Sequence, residues 1–259
     1  MRYPKTTIFL GLLAALVLGV VISGMEPERQ DAGLDPISTQ PGEGAVMVIG
    51  GTRATGLEIV KILRARGDDV IVLARATSDA TEAEQTGARI ARGDAMQPAD
   101  LAAIFAGNSI RGVISTLGAR SLDGPRPDYE GNRNAVDAAK AAGVRRFVLV
   151  TVIGAGDSLN AAPWLARRFL KNVIPDKTRA EDHLRNSGLD FTIIRPGGLL
   201  PKEAQGRAYL TPDTGAMSWV RRTDLARLSV QALDDPQAVG QVYHAHDPER
   251  TRFWSIPLN

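Results

Sequence analysis

The stretch Ala45-Val46-Met47-Val48-Ile49-Gly50-Gly51-Thr52-Arg53-Ala54-Thr55-Gly56 runs apolar, strand-forming residues straight into a turn of small ones. Leu57 to Arg64 continues with helical periodicity: Ile59, Ile62 and Leu63 share a face, and Glu58, Lys61 and Arg64 lie off it. The pattern predicts a strand, a tight turn and a helix. Such a turn aims backbone N–H groups and the positive end of the helix dipole at one spot, and its glycines let a pyrophosphate approach the main chain. A second strand, Asp69 to Ala74, ends at Arg75. That is about 20 residues beyond Gly56, where a dinucleotide fold meets the adenosine ribose.

Charge then selects between dinucleotides. A carboxylate at the end of the second strand would accept from the ribose 2′-hydroxyl of NAD and repel the 2′-phosphate of NADP. This chain has Arg75 there and a second cation, Arg53, inside the turn, so NADP(H) is expected over NAD(H). The plainer reading of Arg75 is a surface arginine in an arginine-rich chain.

The rest of the 259 residues is consistent with one domain of ordinary size and 44% hydrophobic residues for its core. Net charge is only +2, and no basic cluster interleaved with aromatics occurs, so nucleic acid is not implied. The absence of cysteine excludes disulfides, thiolate metal sites and cysteine nucleophiles. His244 and His246 flank Ala245 in an apparent strand and would share a face; a structural or solvated pair is expected there rather than a metal site.

Ahead of the domain, Arg2 and Lys5 precede a charge-free apolar run, Ile8 to Ile22. It predicts a signal peptide or a membrane anchor over 1–25, with a buried core helix as the alternative. Either export reading puts the remaining chain on the outer side of the membrane. Residues 26–43, with Pro27, Pro36 and Pro41, read as a flexible linker, and the domain as 44–259.

Within the domain, 77–87 has helical tendency, Ala88 to Asp94 reads as a third strand, Pro98 to Ala106 as a helix and Gly112 to Gly118 as a fourth strand. Tyr129 to Ala142 reads as a helix, Arg146 to Thr151 as a fifth strand, Lys177 to Asn186 as a helix and Phe191 to Arg195 as a sixth strand. A helix from Asp224 to Leu233 and a strand from Gln241 close the pattern. Continuous apolar strands alternating with helices mean an α/β fold with a doubly wound parallel sheet, Rossmann-like, in a single domain.

Several ordered pieces then carry a resemblance: Gly50 to Gly56, Gly93-Asp94, Asn132 to Gly143, Lys177 to Glu181, and Thr192-Ile193-Ile194-Arg195-Pro196-Gly197-Gly198. Over residues 45–247 the chain resembles the short-chain dehydrogenase/reductase superfamily, in the atypical NmrA-like, NAD(P)H-binding branch that includes flavin and biliverdin reductases. The resemblance implies that the turn Gly50, Gly51, Thr52, Arg53, Thr55 and Gly56 holds the pyrophosphate and, with Arg75, the 2′-phosphate. It implies Asp94 at the adenine amino group, and Thr116, Leu117 and Gly118 along the riboses. Pro196, Gly197, Gly198 and Leu199 would touch the nicotinamide amide. Thr151 falls at the position of the family's catalytic serine, and Lys177 at its catalytic lysine.

Two departures stand out. Ala54 replaces a usual glycine of the turn, and Val173 occupies the tyrosine position four residues before Lys177. A phenol beside a lysine relays a proton to a carbonyl under reduction because the cation lowers its pKa. That machinery is missing. Lys177 can still bond the nicotinamide ribose, with Glu181 one turn on placed to pair with it, or the two form a solvated pair on a helix face. The expected activity is an NAD(P)H-dependent oxidoreductase whose small-molecule acceptor, a flavin, quinone or similar ring, needs no protein tyrosine. The competing class is a non-catalytic NADP(H)-binding redox sensor or assembly factor for membrane complexes.

Overall fold

The computed structural model describes residues 29–119, 126–201 and 203–251. The apolar run expected to be a signal or anchor lies outside them. Among the described residues no helix is long and apolar enough to cross a membrane.

The first half of the domain is β1 (Ala45–Ile49), α1 (Ala54–Arg66), β2 (Val70–Ala74), α2 (Thr81–Gln85), β3 (Arg89–Arg92), α3 (Pro98–Ala106) and β4 (Ile110–Ser115). The second is α4 (Glu130–Ala141), β5 (Arg146–Val150), α5 (Trp164–Phe169), α6 (Val173–Arg185), β6 (Asp190–Pro196), β7 (Gly198–Leu200), β8 (Tyr209–Thr211), β9 (Trp219–Arg221), α7 (Arg222–Asp234) and β10 (Gln241–His246). Eight strands form one sheet in the order β3-β2-β1-β4-β5-β6-β10-β8. Because chain order reverses between β1 and β4, the crevice over their carboxyl ends is the topological switch point where open α/β sheets bind ligands.

The sheet is doubly wound because its strands are apolar on both faces. Val46 and Val48 of β1 and Val148 and Val150 of β5 pack with Ile59, Val60 and Leu63 of α1 and Leu225 and Leu228 of α7. The alternate residues, Met47 and Ile49, Phe147 and Leu149, pack instead with Leu101 and Phe105 of α3, Val136 of α4 and Leu184 of α6. A one-residue slip would exchange the two sets, so the pleat fixes the register.

Three expectations need correction. The sheet is parallel except at one edge, where β8 pairs antiparallel with β10, and β7 and β9 form a separate two-stranded sheet. These three-residue strands are too short to mark the sequence with a period. Helix α6 begins at Val173 rather than Lys177, since Pro175 falls within the first turn, where its missing N–H breaks no helical bond. α5 and the 3₁₀ turn Gly156–Ala161 were not foreseen at all.

Residues 29–43 have no regular secondary structure, as their composition suggests, yet they are bound along their length. Arg29 pairs with Asp213 and its carbonyl accepts from the Tyr209 hydroxyl at 3.2 Å. Ala32 N–H donates to Leu210 O at 2.7 Å, and Asp35 N–H to Asp235 Oδ2 at 2.7 Å. Gln231 of α7 donates to the carbonyls of Leu34 and Asp35, while Leu34 and Ile37 pack on the core. The segment is a strap across α7 and the β8 edge. It ends at Gly42, whose N–H reaches Asp68 at 3.3 Å. Asp68 is the buried hub of a cluster with Arg66 and Arg111, both of which also hold Asp234 at the end of α7.

Candidate active site

The cradle is built from main chain. Gly50 has φ +85°, and a Cβ there would lie 2.8 Å from Thr116 Oγ1. At Gly56 a Cβ would stand 2.1 Å from the Gly50 carbonyl oxygen. No side chain fits at either place, so α1 closes directly onto the end of β1 and Thr116. Gly51 is buried against Val48, Val60 and Val72. Ala54 takes a left-handed φ of +49°, a conformation suited to the glycine it replaces.

The start of α1 is prepared for an anion. It has no side-chain cap and no acid in its first turn, whereas α3, α4, α6 and α7 carry Asp100, Glu130, Asp176 and Asp224 in theirs. Thr55 Oγ1 is buried there without a hydrogen-bond partner among the described residues. Free N–H groups, an orphaned hydroxyl and a surface closed to Cβ atoms fit a pyrophosphate. Arg53 in the turn and Arg75 after β2 are both exposed beside this end of the sheet. The loop of Arg75 is held by Arg92 of β3, which donates to the carbonyls of Arg75 and Ser78 at 3.2 and 3.0 Å. Asp94 accepts the Met96 N–H on Oδ1 at 2.9 Å, and no described residue takes its Oδ2.

Beyond the cradle the site is made of side chains. Lys177, on α6, is buried; its ammonium donates to Leu117 O at 2.5 Å and lies 3.4 Å from Asp128 Oδ1. Burial lowers the Lys177 pKa, and the Asp128 carboxylate works against that shift. Asp128 also accepts Ala119 N–H at 3.2 Å and Arg126 at 3.0 Å. Asn132 pins the same corner: it donates to Asp128 O at 2.7 Å and accepts the Ser115 hydroxyl at 2.6 Å. The structure thus brings Lys177 to Leu117 and Gly118, and Thr116 to Gly50 and Gly56.

Glu181 does not hydrogen-bond Lys177, which corrects that expected pair. Its carboxylate accepts the Thr151 hydroxyl at 2.7 Å and the Arg195 guanidinium at 3.1 and 2.6 Å. Arg195 is 0% exposed and also pairs with Asp157. Burial opposes its charge, but the two carboxylates win and raise its pKa; Arg195 in turn lowers that of Asp157. Gly156, φ +57°, makes room, because a Cβ would sit 2.2 Å from Arg195 Nη2. Asp128, Asp157 and Arg195 were missed as site residues, since nothing in local spacing distinguishes them from other charges.

Val173 opens α6 one turn before Lys177. Tyr129 packs its ring 3.7 Å from the Arg179 guanidinium, but Arg179 lies about 200° round the helix from Lys177, so the phenol is on another face. Pro196 ends β6 and accepts Ile153 N–H at 2.8 Å. Gly197 and Gly198 lie against Ser218 and the Trp219 ring, and Leu199 pairs with Val220. His244 Nδ1 meets Ala216 O at 2.7 Å, and His246 packs edge-on to Tyr209. Among the described residues no group of three His, Cys, Asp or Glu is placed to hold a metal.

Comparison with known proteins agrees with this geometry. A profile of the NAD(P)H-binding family matches residues 50–236. The NAD(P)H azoreductase of Xenophilus azovorans is 29% identical over 215 residues, covering 79% of this chain and 68% of that protein. The photosystem II assembly factor Ycf39 of Cyanophora paradoxa is 26% identical, over 73% of this chain and 59% of its own. Among solved structures, an anaerobillin reductase from Escherichia coli O157:H7 superposes with a TM-score of 0.72 at 30% identity, over 80% of this chain and 99% of its own. With the cradle of Gly50, Gly56 and Thr55 inside the matched span, the chain belongs to the NAD(P)H-binding oxidoreductase family, in the atypical NmrA-like branch of the short-chain dehydrogenase/reductases.

Proposed function

We propose that this protein is an NADPH-dependent reductase of conjugated ring acceptors, such as flavins, quinones or azo compounds, that works without a protein proton donor. The carrying observation is Val173 at the start of α6, one turn from a Lys177 whose ammonium is already engaged by Leu117 O and Asp128. Thr151 does not substitute for the phenol, because its hydroxyl is committed to Glu181. Bound NADPH would supply a hydride, and water the balancing proton. The protein's part is then positioning: the Gly50–Gly56 turn and Thr55 hold the pyrophosphate, Lys177 and Leu117 the ribose, and β6 with Gly197 and Gly198 the far wall.

Aliphatic ketones should be poor substrates, by the roughly 10²–10⁴-fold that general acid catalysis contributes. Steady-state NADPH oxidation with a flavin, a quinone and an aliphatic ketone tests this; fast ketone turnover would overturn it. Lys177→Ala should slow turnover more than Thr151→Ala. Azoreductase and anaerobillin reductase relatives support the reading.

Arg53 and Arg75 support NADPH over NADH. A charge-assisted hydrogen bond contributes about 1.5–3 kcal/mol, a roughly tenfold to hundredfold gap in affinity. Arg75→Ala should close most of it by calorimetry, and equal affinities in the unmutated chain would refute it. A second reading, a cofactor-binding assembly factor without turnover, is favoured by the Ycf39 relatives; tight NADPH binding with no acceptor turned over would select it. The apolar run 8–22 is read as an anchor or export signal, and alkaline phosphatase fused after Asn259 reports the side.

A further inference from the structure

The connection from β5 to α6 carries the most exposed large apolar side chains of the described residues. Trp164 is 72% exposed and Phe169 61%, and Leu159 just before them is also exposed. On α5, Trp164 shares one face with Arg167 and Arg168, at i+3 and i+4, and Lys171 is exposed in the turn that follows the helix. Among the described residues none of these three cations has an acid partner, whereas the nearby acids are used internally, Asp157 by Arg195 and Asp176 by Arg126 and Arg179. Leu165 and Leu170 are half-buried beneath. An exposed indole ringed by cations, beside an exposed Phe, has the chemistry of a helix lying in a lipid headgroup layer: rings at the acyl boundary, cations on anionic headgroups. A partner protein's apolar surface would leave those cations desolvated.

The chain's own course agrees. Arg29 pairs with Asp213 and its carbonyl accepts from Tyr209, which stands opposite His246 at the carboxyl end of β10, a strand parallel to β6 and through it to β5. Arg29 therefore enters at the end of the sheet from which the α5 connection departs. Six residues separate Ile22 from Arg29, a reach of about 25 Å at most over the seven steps. We propose that the exposed patch of Trp164, Arg167, Arg168, Phe169 and Lys171, formed by α5 and the turn after it, docks on an anionic lipid surface, so that the segment between Thr151 and Lys177 rests against the bilayer. The assignment does not rest on the reductase reading; if both hold, the acceptor is one dissolved in lipid.

The chain has no cysteine, so a single one reports cleanly. The full chain carrying Phe169→Cys, labelled with nitrobenzoxadiazole, is mixed with vesicles of phosphatidylglycerol and phosphatidylcholine; Lys140→Cys, at the other end of the sheet, is the control. The probe at 169 should shift blue, be quenched by shallow spin-labelled lipid and be shielded from aqueous iodide, while the control stays in water. Pure phosphatidylcholine, or the added changes Arg167→Glu, Arg168→Glu and Lys171→Glu, should return the probe to the control's behaviour. A probe at 169 that stays iodide-accessible on vesicles overturns the proposal, whether or not the chain is bound through another part. So does a blue shift that needs no vesicles and grows with protein concentration, which would make the face a contact between copies. A shift on both lipids that ignores charge reversal overturns the anionic assignment.

Discussion

At the end of β1 the surface offered to a ligand is main chain. Gly50 and Gly56 leave no room for a side chain, and the first turn of α1 keeps its N–H groups uncapped. At the ends of β5 and β6 it is side chain: Thr151, Glu181, Arg195 and Asp157 form one hydrogen-bonded string, with Lys177 and Asp128 beside it. The first region takes its shape from close backbone approaches at Gly50 and Gly56. The second holds its shape through charges that must satisfy one another, and Val173 opens the helix that brings Lys177 to it.

The sharpest break of that contrast is Arg195→Met. It strands the Glu181 carboxylate in the interior, and breaking a buried pair from one side costs about 3–5 kcal/mol. Chemical denaturation should register a loss of that size; near-wild-type stability would mean that the second region is not held by its ions. Gly56→Ala tests the first region. Its Cβ would meet the Gly50 carbonyl, so overpacking should cost about 1–3 kcal/mol and NADPH binding should vanish by calorimetry, with Arg195 untouched.

Acid should act outside both regions, at the β8–β10 edge where His246 packs on Tyr209. Burial lowers the His246 pKa to about 4, from 6.5 in the unfolded chain. The unfolded state then binds more protons between those values, so this contribution to stability is whole above pH 6.5 and lost as pH falls toward 4. At one unit below 6.5 the loss is about 1.4 kcal/mol. His246→Gln should flatten that part of the stability profile, and an unchanged slope would assign the acid sensitivity elsewhere. The smallest effect belongs to Ala54→Gly. It relieves a φ of +49° and should stabilise by at most about 1 kcal/mol, leaving cofactor affinity equal or better. Destabilisation would show that the left-handed turn at Ala54 carries little strain.

The same contrast explains what the sequence disclosed. The turn between β1 and α1 was legible from Gly50 to Gly56, because a tight βα turn demands small residues at fixed spacings. The central strands were legible because both faces of the sheet are covered and their apolar runs are continuous. Asp128 and Arg195 were opaque: their roles depend on Lys177 and Glu181, which other elements deliver. Glu181 illustrates the error. Spacing along α6 favoured Lys177, whereas burial between β5 and β6 gave the carboxylate to Thr151 and Arg195. The strands β7, β8 and β9 failed for want of length, and the strap for want of any period.

That strap also has a mechanical meaning. A pull transmitted along the chain toward residue 29 is met first by the Arg29–Asp213 pair and the Ala32–Leu210 bond, both at the β8 edge, and then by the Asp35 and Leu34 contacts on α7. From β8 the load passes to β10 through their antiparallel bonds and into the middle of the sheet. The turn after β1 lies off that path. Tension on the chain ahead of residue 29 would therefore peel the β8 edge of the sheet while the Gly50–Gly56 turn stayed unloaded.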